Sequence, residues 1–263
     1  MYSAVVVTGG SSGIGKSFIE LAAKLQPSLR FCNLSRTSPR INSEQLTLCH
    51  IGCDLGKRPS VVEAAKGVEA FLNLDAQAGR VLLINNSGFG AYGCFPEPNL
   101  EHQLDLIDVN IRGLVQLTGL LLPVLKERGG TVMNIASTAA FQPTPYMATY
   151  GASKAFVLNW TLALNAELRG SGVNALAVCP GPTATEFYRR AGLQKGSVGQ
   201  AFSMTSEAVV MSAFKALGKQ RSFVVPGWKN KLSTWAGGIA PKQLATRIAE
   251  RVIAHYKLKQ VKR

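Results

Sequence analysis

The sequence predicts an α/β fold, one doubly wound parallel sheet of about seven strands with helices on both faces. Three observations carry that expectation. Short runs rich in β-branched residues alternate with stretches of helical period from Ala4 to Val225, and strands that alternate with helices pair in parallel through right-handed crossovers. A glycine-rich turn, Thr8-Gly9-Gly10-Ser11-Ser12-Gly13-Ile14-Gly15, joins the first such run to the first helical stretch. The chain of 263 residues is 46% hydrophobic and only 17% charged, which is enough apolar material to close a core of domain size and excludes general disorder.

Ala4–Thr8 is the first strand, stopped by Gly9-Gly10, and Ile14–Leu25 then places apolar residues at helical spacing as far as Pro27. Strands follow at Leu29–Ser35 and Leu46–Cys53, then a helix at Val61–Leu74, a fourth strand at Val81–Asn85 and a long helix pair over Leu100–Lys126. The alternation continues with a strand at Thr131–Ile135, a long helix at Tyr150–Leu168 and a strand at Val173–Val178. A helix around Glu207–Leu217 and a short seventh strand at Phe223–Val225 complete the pattern. No internal repeat or long Pro/Gly/Ser linker divides the chain, so residues 1–263 read as one domain. The least regular stretch, about 182–206, follows a strand end, where open α/β sheets place ligands; it reads as a substrate lid or as a merely long loop.

Charge is unevenly distributed. The chain has 29 Lys+Arg against 15 Asp+Glu, a formal +14, and between Lys215 and Arg263 twelve cations are opposed by Glu250 alone. No helix-turn-helix, zinc-finger or RNA-binding aromatic signature accompanies this excess, so no nucleic-acid partner is expected. The basic C-terminal segment, about 228–263, reads as a solvated face or as a weak peripheral contact with acidic lipid or an acidic carrier surface. The longest apolar stretch, Leu114–Leu125, is interrupted by Gln116, Thr118 and Pro123 and falls short of the roughly 18 apolar residues of a spanning helix. The chain starts directly on MYSAVVVTGG, without a leader pattern, and the expected compartment is the cytoplasm. Five cysteines in no metal or C-x-x-C pattern read as reduced, core-filling thiols, and no metal site is expected.

The glycine turn carries the first chemistry. Gly9, Gly13 and Gly15 lack the Cβ that would hinder a tight turn, close approach of a pyrophosphate to backbone amides, and close packing of helix on strand. The helix N-terminus behind them favours an anion, so the turn reads as a dinucleotide site. Its spacing resembles the T-G-x-x-x-G-x-G pattern of the short-chain dehydrogenase/reductase family. Asn85-Asn86-Ser87-Gly88 resembles that family's N-N-A-G, with Ser in place of Ala; Asn110, Ser137, Tyr150 and Lys154 match its catalytic tetrad; and Pro180-Gly181 with Thr185 resembles its P-G-x-x-x-T segment. These matches run in order over about two thirds of the chain. The segment Asn134–Phe156 is similar to bacterial ketoreductase-like members. The resemblance implies a Rossmann-like fold and an oxidoreductase that moves a hydride between a nicotinamide cofactor and a carbonyl or secondary alcohol.

The residue types suit that chemistry. Tyr150 and Lys154 lie four apart on a helix and project from one face. A nearby ammonium favours the phenolate, so Tyr150 can act as general acid in carbonyl reduction and as general base in alcohol oxidation. Ser137 would donate a hydrogen bond to the substrate oxygen as negative charge develops there. The resemblance further implies that Lys154 holds the nicotinamide ribose and that Asn110 anchors a proton-relay water. Cofactor choice is read at the end of the second strand, where an NAD enzyme places a carboxylate. Here Ser35-Arg36-Thr37 stands instead, and Arg36 could clamp a 2′-phosphate with Ser35 or Thr37 donating, so NADP(H) is expected rather than NAD(H).

The remaining cofactor contacts expected from the resemblance are Ser11, Ser12 and Ile14 in the turn, and Asp54 with Leu55 beside the adenine. Asn86, Ser87 and Gly88 would lie along the adenosine side, with Pro180, Gly181, Thr183 and Thr185 at the carboxamide end. Phe89, Phe141, Tyr146, Phe187, Tyr188 and Phe202 would form an apolar pocket if they converge, for an apolar ketone, an aromatic carbonyl or an acyl chain. His50, His102 and His255 are scattered and read as structural or surface residues. Family members commonly form homodimers or homotetramers through the helices that hold Asn110 and Tyr150; the longer C-terminus from Trp228 departs from the shortest members and puts the tetramer contact in doubt. The reading of another class is a non-catalytic dinucleotide-binding scaffold or regulatory protein that uses its basic end for a partner or membrane.

Overall fold

Alternate residues of the first strand, β1 (Tyr2–Thr8), are apolar on both sides because both sides of the sheet are covered. Ala4 and Val6 face one core, with Cys32, Leu34, Val81 and Leu83 from neighbouring strands; Val5 and Val7 face another, with Phe31, Leu82 and Ile84. The computed structural model describes residues 2–41, 46–74, 79–183, 187, 191 and 203–257. After β1 come α1 (Gly13–Leu25), β2 (Arg30–Ser35), β3 (Thr47–Gly52), α2 (Arg58–Asn73) and β4 (Arg80–Asn85). The second half holds α3 (Leu100–Ile107), α4 (Leu114–Arg128), β5 (Gly130–Ile135), α5 (Ala148–Glu167), β6 (Val173–Val178), α6 (Ser206–Gly218) and β7 (Phe223–Val224). Two further helices, α7 (Trp228–Ile239) and α8 (Lys242–Lys257), follow.

All seven strands are parallel, in the order β3-β2-β1-β4-β5-β6-β7. Val61, Val68 and Leu72 of α2, with Leu117, Leu121 and Leu125 of α4, fill the first core; Phe18 and Ile19 of α1, with Val209, Val210 and Ala213 of α6, fill the second. The sheet is therefore doubly wound, as expected. The chain leaves β1 in one direction for β2 and β3, then returns to its other edge for β4, and this reversal opens a crevice at the carboxyl ends of β1 and β4.

Three details differ from the expected elements. The helix pair is one continuous run from Leu100 to Arg128, in which a π-helical turn at Asp108–Gly113 joins α3 to α4. Hydrogen bonding is carried through by the wider turn instead of being broken, and Arg112 Nε donates to Asp108 Oδ1 at 2.7 Å across it. By length and composition alone this run could cross a membrane, yet Leu117, Leu121 and Leu125 lie fully buried against the sheet. The second difference is the helical C-terminus, whose apolar periodicity faces solvent instead of a core. The third concerns the cysteines: Cys32, Cys53 and Cys179 are buried and half-buried Cys49 packs against the first core, but Cys94 is exposed and is not core-filling. Burial pushes the Cys32 and Cys53 thiols upward and keeps them unreactive. Most of the expected lid, including Thr185, Tyr188 and Phe202, lies outside the described residues. Its two ends meet where Met204 N donates to Pro182 O at 2.9 Å.

Candidate active site

Two strand ends are tied together to shape the crevice. Thr8 Oγ1 accepts from the backbone N–H groups of Asn86 and Ser87, each at 2.9 Å, while Asn86 Nδ2 donates to Thr8 O at 2.9 Å and Gly9 O at 3.3 Å. The turn between them requires glycine: Gly9 and Gly13 have φ of 70° and 55°, and a Cβ on Gly15 would stand 2.4 Å from Gly9 O. Ser12 precedes α1 without capping it through its side chain, and the first turn of α1 holds no acidic residue. Its leading N–H groups are thus left to an outside acceptor, and Ser12, Gly13 and Ile14 line the crevice opposite Asn86, Ser87 and Gly88. This cradle of backbone donors and missing Cβ atoms fits a dinucleotide pyrophosphate.

A buried asparagine supports the cradle, and sequence reasoning missed it. Asn33 Oδ1 accepts from Gly10 N at 2.8 Å, and its Nδ2 donates to Ser35 Oγ at 2.8 Å and meets His50 Nδ1 at 3.0 Å. The signal was present as a lone amide inside an apolar strand. Ser35 Oγ in turn donates to Thr37 O at 2.6 Å. That bond shapes the loop on which Arg36 and Thr37 stand exposed. Asp54 Oδ1 accepts from Gly56 N at 3.0 Å and shapes the turn after β3. Leu55 turns its side chain into the core instead of the crevice, where a Cβ on Gly113 would stand 2.4 Å from Leu55 O. Ser11 and Gly15 belong to the turn but do not line the crevice, Gly15 being buried behind it.

The reacting groups sit further along the same cleft, which encloses about 340 Å³. Ser137 follows β5, and its Oγ accepts from Ala139 N at 3.1 Å, starting a short 3-10 turn over Thr138–Phe141. That contact leaves the Ser137 proton available. The second and third residues of the group, Tyr150 and Lys154, lie one turn apart on α5, both buried and both lining the cleft. Lys154 Nζ donates to Ile135 O at 2.8 Å and lies 5.8 Å from the Tyr150 ring centroid. Burial pushes the Tyr150 phenol up to about 12, partly offset by its hydrogen bond with Ser137, and lowers Lys154 to about 8, partly offset by Cys179. Burial acts on both groups in the direction of their neutral forms, against the pull of the ammonium on the phenol expected from the four-residue spacing.

Asn110 is placed by the π-helical turn, but its side chain does not line the cleft. Its Nδ2 donates to Phe89 O at 3.0 Å and Ser153 Oγ at 3.1 Å, its Oδ1 accepts from Phe89 N at 3.1 Å, and Ser153 Oγ donates to Tyr150 O at 2.7 Å. Both amide protons are thus used in fastening α5 to the loop after β4. Gly88 fits between the two groups: a Cβ there would stand 3.0 Å from Asn110 Oδ1 and 3.3 Å from Lys154 Nζ.

Pro180, Gly181 and Thr183 border the other side of the cleft, with Pro180 O accepting from Thr138 N at 2.9 Å. The aromatic residues converge only in part. Phe187 lines the cleft with its ring 5.2 Å from that of Tyr150, Phe89 packs beside it against His102, and Tyr146 lies near Tyr92. Phe141 instead turns away to the groove beside α7. Gln142, Thr144 and Met147 complete the wall, as do Val252 and Ile253 of α8, whose Ile253 O accepts from Tyr92 Oη at 2.8 Å. Helical spacing was the only sequence signal for this last pair, because no motif contains it.

Known proteins resemble this chain in sequence and in fold. The family model described as short chain dehydrogenase matches residues 3–196. Serine 3-dehydrogenase of Rhizobium radiobacter is 31% identical over 206 residues, covering 75% of this chain and 79% of that protein. The very-long-chain 3-oxoacyl-CoA reductase of Anas platyrhynchos is 30% identical over 231 residues, 82% of this chain and 69% of that protein. Among solved structures, a short-chain dehydrogenase from Sphingobium yanoikuyae in complex with NADPH superimposes with a TM-score of 0.75 at 28% identity, covering 89% of this chain and 92% of that one.

Proposed function

The chain belongs to the short-chain dehydrogenase/reductase family, and on that premise we propose that it is an NADP(H)-dependent reductase of an apolar carbonyl, a ketone or an acyl-type substrate. The observation that carries this reading is the grouping of Ser137, Tyr150 and Lys154 on one cleft wall, opposite the glycine cradle at the start of α1. When bound there, the nicotinamide would supply the hydride. Tyr150 Oη, kept protonated by burial, donates its proton to the substrate oxygen, and Ser137 Oγ orients that oxygen and stabilises its developing charge. Lys154 holds a positive charge beside the ring and, as in the family pattern, would bind the ribose hydroxyls. Phe187, Met147, Val252 and Ile253 keep the wall apolar, which favours an apolar substrate and restricts water.

Arg36 sets the cofactor preference. It is exposed at the carboxyl end of β2 with no carboxylate at the neighbouring positions, which suits a 2′-phosphate. Fluorescence titration is expected to give tight NADPH binding and weaker NADH binding. Arg36→Ala should cost about tenfold or more in NADPH affinity, equivalent to about 1.4 kcal/mol, with little effect on NADH. Equal affinities in both proteins would refute the NADP(H) assignment. A broad panel of ketones and acyl carbonyls, followed by NADPH oxidation, tests turnover; NADPH binding with no turnover on any of them would favour the scaffold reading instead.

The same proposal includes a homodimer or homotetramer. Leu104, Ile107 and Leu120 of the α3–α4 run and Phe156 of α5 are exposed, on the helices that hold Asn110 and Tyr150. Sedimentation velocity at micromolar protein should give a dimer or tetramer, reduced to monomer by Ile107→Glu with Phe156→Glu. A wild-type monomer would reject this part of the proposal.

A further inference from the structure

The two C-terminal helices turn apolar side chains to solvent in a pattern the catalytic cleft does not require. On α7, Trp228, Leu232, Trp235 and Ile239 are 72%, 58%, 63% and 65% exposed. Their spacing places them within an arc of about 60°, at about 100° per residue. The helix is held to the body by its other side: Thr234 is buried, Asn230 Nδ2 donates to Pro226 O at 2.8 Å, and a Cβ on Gly237 would lie 2.9 Å from Gln142 Oε1. On α8, Leu244 and Ile248 lie four residues apart and are about half exposed, and Val252 continues the row to the edge of the cleft.

Cations flank both stripes. Exposed Lys229 and Lys231 fall on opposite sides of the α7 arc, and exposed Arg247 and Arg251 fall beside the α8 stripe. No ion pair engages Lys231, Arg247 or Arg251 among the described residues. Trp235 and Ile239 also form a wall of a groove of about 780 Å³ with Phe141 and Phe223, and Arg221 and Lys231 line the same groove. An apolar wall beside two cations matches a phospholipid, whose phosphate meets the cations while its chains and glycerol region meet the wall.

A second copy of this chain is a poor occupant, because it would bring two strongly cationic faces together. An anionic bilayer satisfies both halves of the pattern: its surface attracts Lys and Arg, tryptophan settles at headgroup depth, and Leu and Ile reach the acyl boundary. We propose that α7 and α8 seat this protein peripherally on a membrane that bears anionic phospholipid, with the groove beside Trp235 receiving a phosphate headgroup. This docking is independent of which carbonyl the cleft reduces.

The test uses the full chain and vesicles of phosphatidylcholine alone or mixed equally with phosphatidylglycerol. The protein should sediment at least tenfold more strongly with the anionic vesicles, and less so at about 0.5 M salt, where charges are screened beyond a few ångströms. Tryptophan emission should shift to the blue on binding and be quenched by brominated lipid, since two of the three tryptophans lie on α7. Trp228→Ser with Trp235→Ser, and separately Arg221→Glu with Lys231→Glu, should each lower vesicle binding about tenfold while NADPH affinity stays unchanged. The proposal is overturned if wild type ignores anionic vesicles, or if brominated lipid leaves its emission unquenched. It is equally overturned if the charge pair matters and the tryptophan pair does not, which would mark a simple polyanion site. Vesicle-independent loss of self-association in the tryptophan variant, without any lipid binding by wild type, would assign the face to contacts between copies.

Discussion

Tyr150→Phe is expected to lower carbonyl reduction by about 10²–10⁴-fold while leaving NADPH affinity within about twofold, because it removes a proton donor and little else. The phenyl ring keeps the packing with Phe187 and Leu106, so the loss reads on chemistry instead of folding. Stopped-flow NADPH oxidation measures the first quantity and fluorescence titration the second; undiminished turnover would remove Tyr150 from the mechanism. The pH profile gives an independent reading of the same site. Lys154 is charged below about 8 and loses that charge above it, whereas Tyr150 keeps its proton up to about 12. kcat/KM for reduction in wild type should therefore fall as pH rises through about 8, with the Lys154 charge, long before the phenol ionises. A profile that stayed level to pH 10 would show that free Lys154 carries no such burden.

Gly15→Ala should lower NADPH affinity more than tenfold and also destabilise the fold by about 1–3 kcal/mol, the usual cost of forcing one more carbon into a packed site. The added Cβ would stand 2.4 Å from Gly9 O and 2.5 Å from Asn86 Nδ2. The first neighbour is backbone, so the turn itself must widen, and the amides that hold the pyrophosphate move with it. The second belongs to the link between Thr8 and the end of β4, so the strain reaches both edges of the crevice. Thermal unfolding with and without NADPH separates the two effects. A variant with wild-type affinity and melting temperature would mean that the turn tolerates a side chain and that its glycines are not what shapes it.

The positions of the strands were readable because both cores demand apolar residues in a fixed period. β6 was placed at its observed bounds, and β1, β2, β4 and β5 to within two residues, since each is covered on both faces. Glycine positions were readable for a similar reason, as the left-handed backbone at Gly9 and Gly13 strains most other residues. What escaped the sequence depends on neighbours far along the chain. Asn33 is identifiable as a support only when Gly10 is seen 2.8 Å away, and the bond from Ser35 to Thr37 O is equally invisible in the sequence. The four-residue spacing reports that Tyr150 is near Lys154 and says nothing of burial, which raises the phenol. Helices α7 and α8 escape the pattern because most of their apolar residues point away from both cores. Val252 and Ile253 reach the cleft from about a hundred residues beyond Tyr150, a distance that no local motif spans.

The reversal of strand order that opens the crevice also governs how the molecule must be assembled during synthesis. β1 emerges first and can pair with β2 as soon as Arg30–Ser35 follows, but its other edge waits for β4, which ends at Asn85. Until then Val5, Val6 and Val7 belong to a strand with a bare row of backbone donors and acceptors, open to any other extended chain. The segment before β4 cannot be a finished folding unit, however well its own helices pack, and β1 stays open to mispairing until β4 arrives. Function and vulnerability thus have a common origin: the topology that leaves room for a ligand at β1 also leaves that strand incomplete the longest.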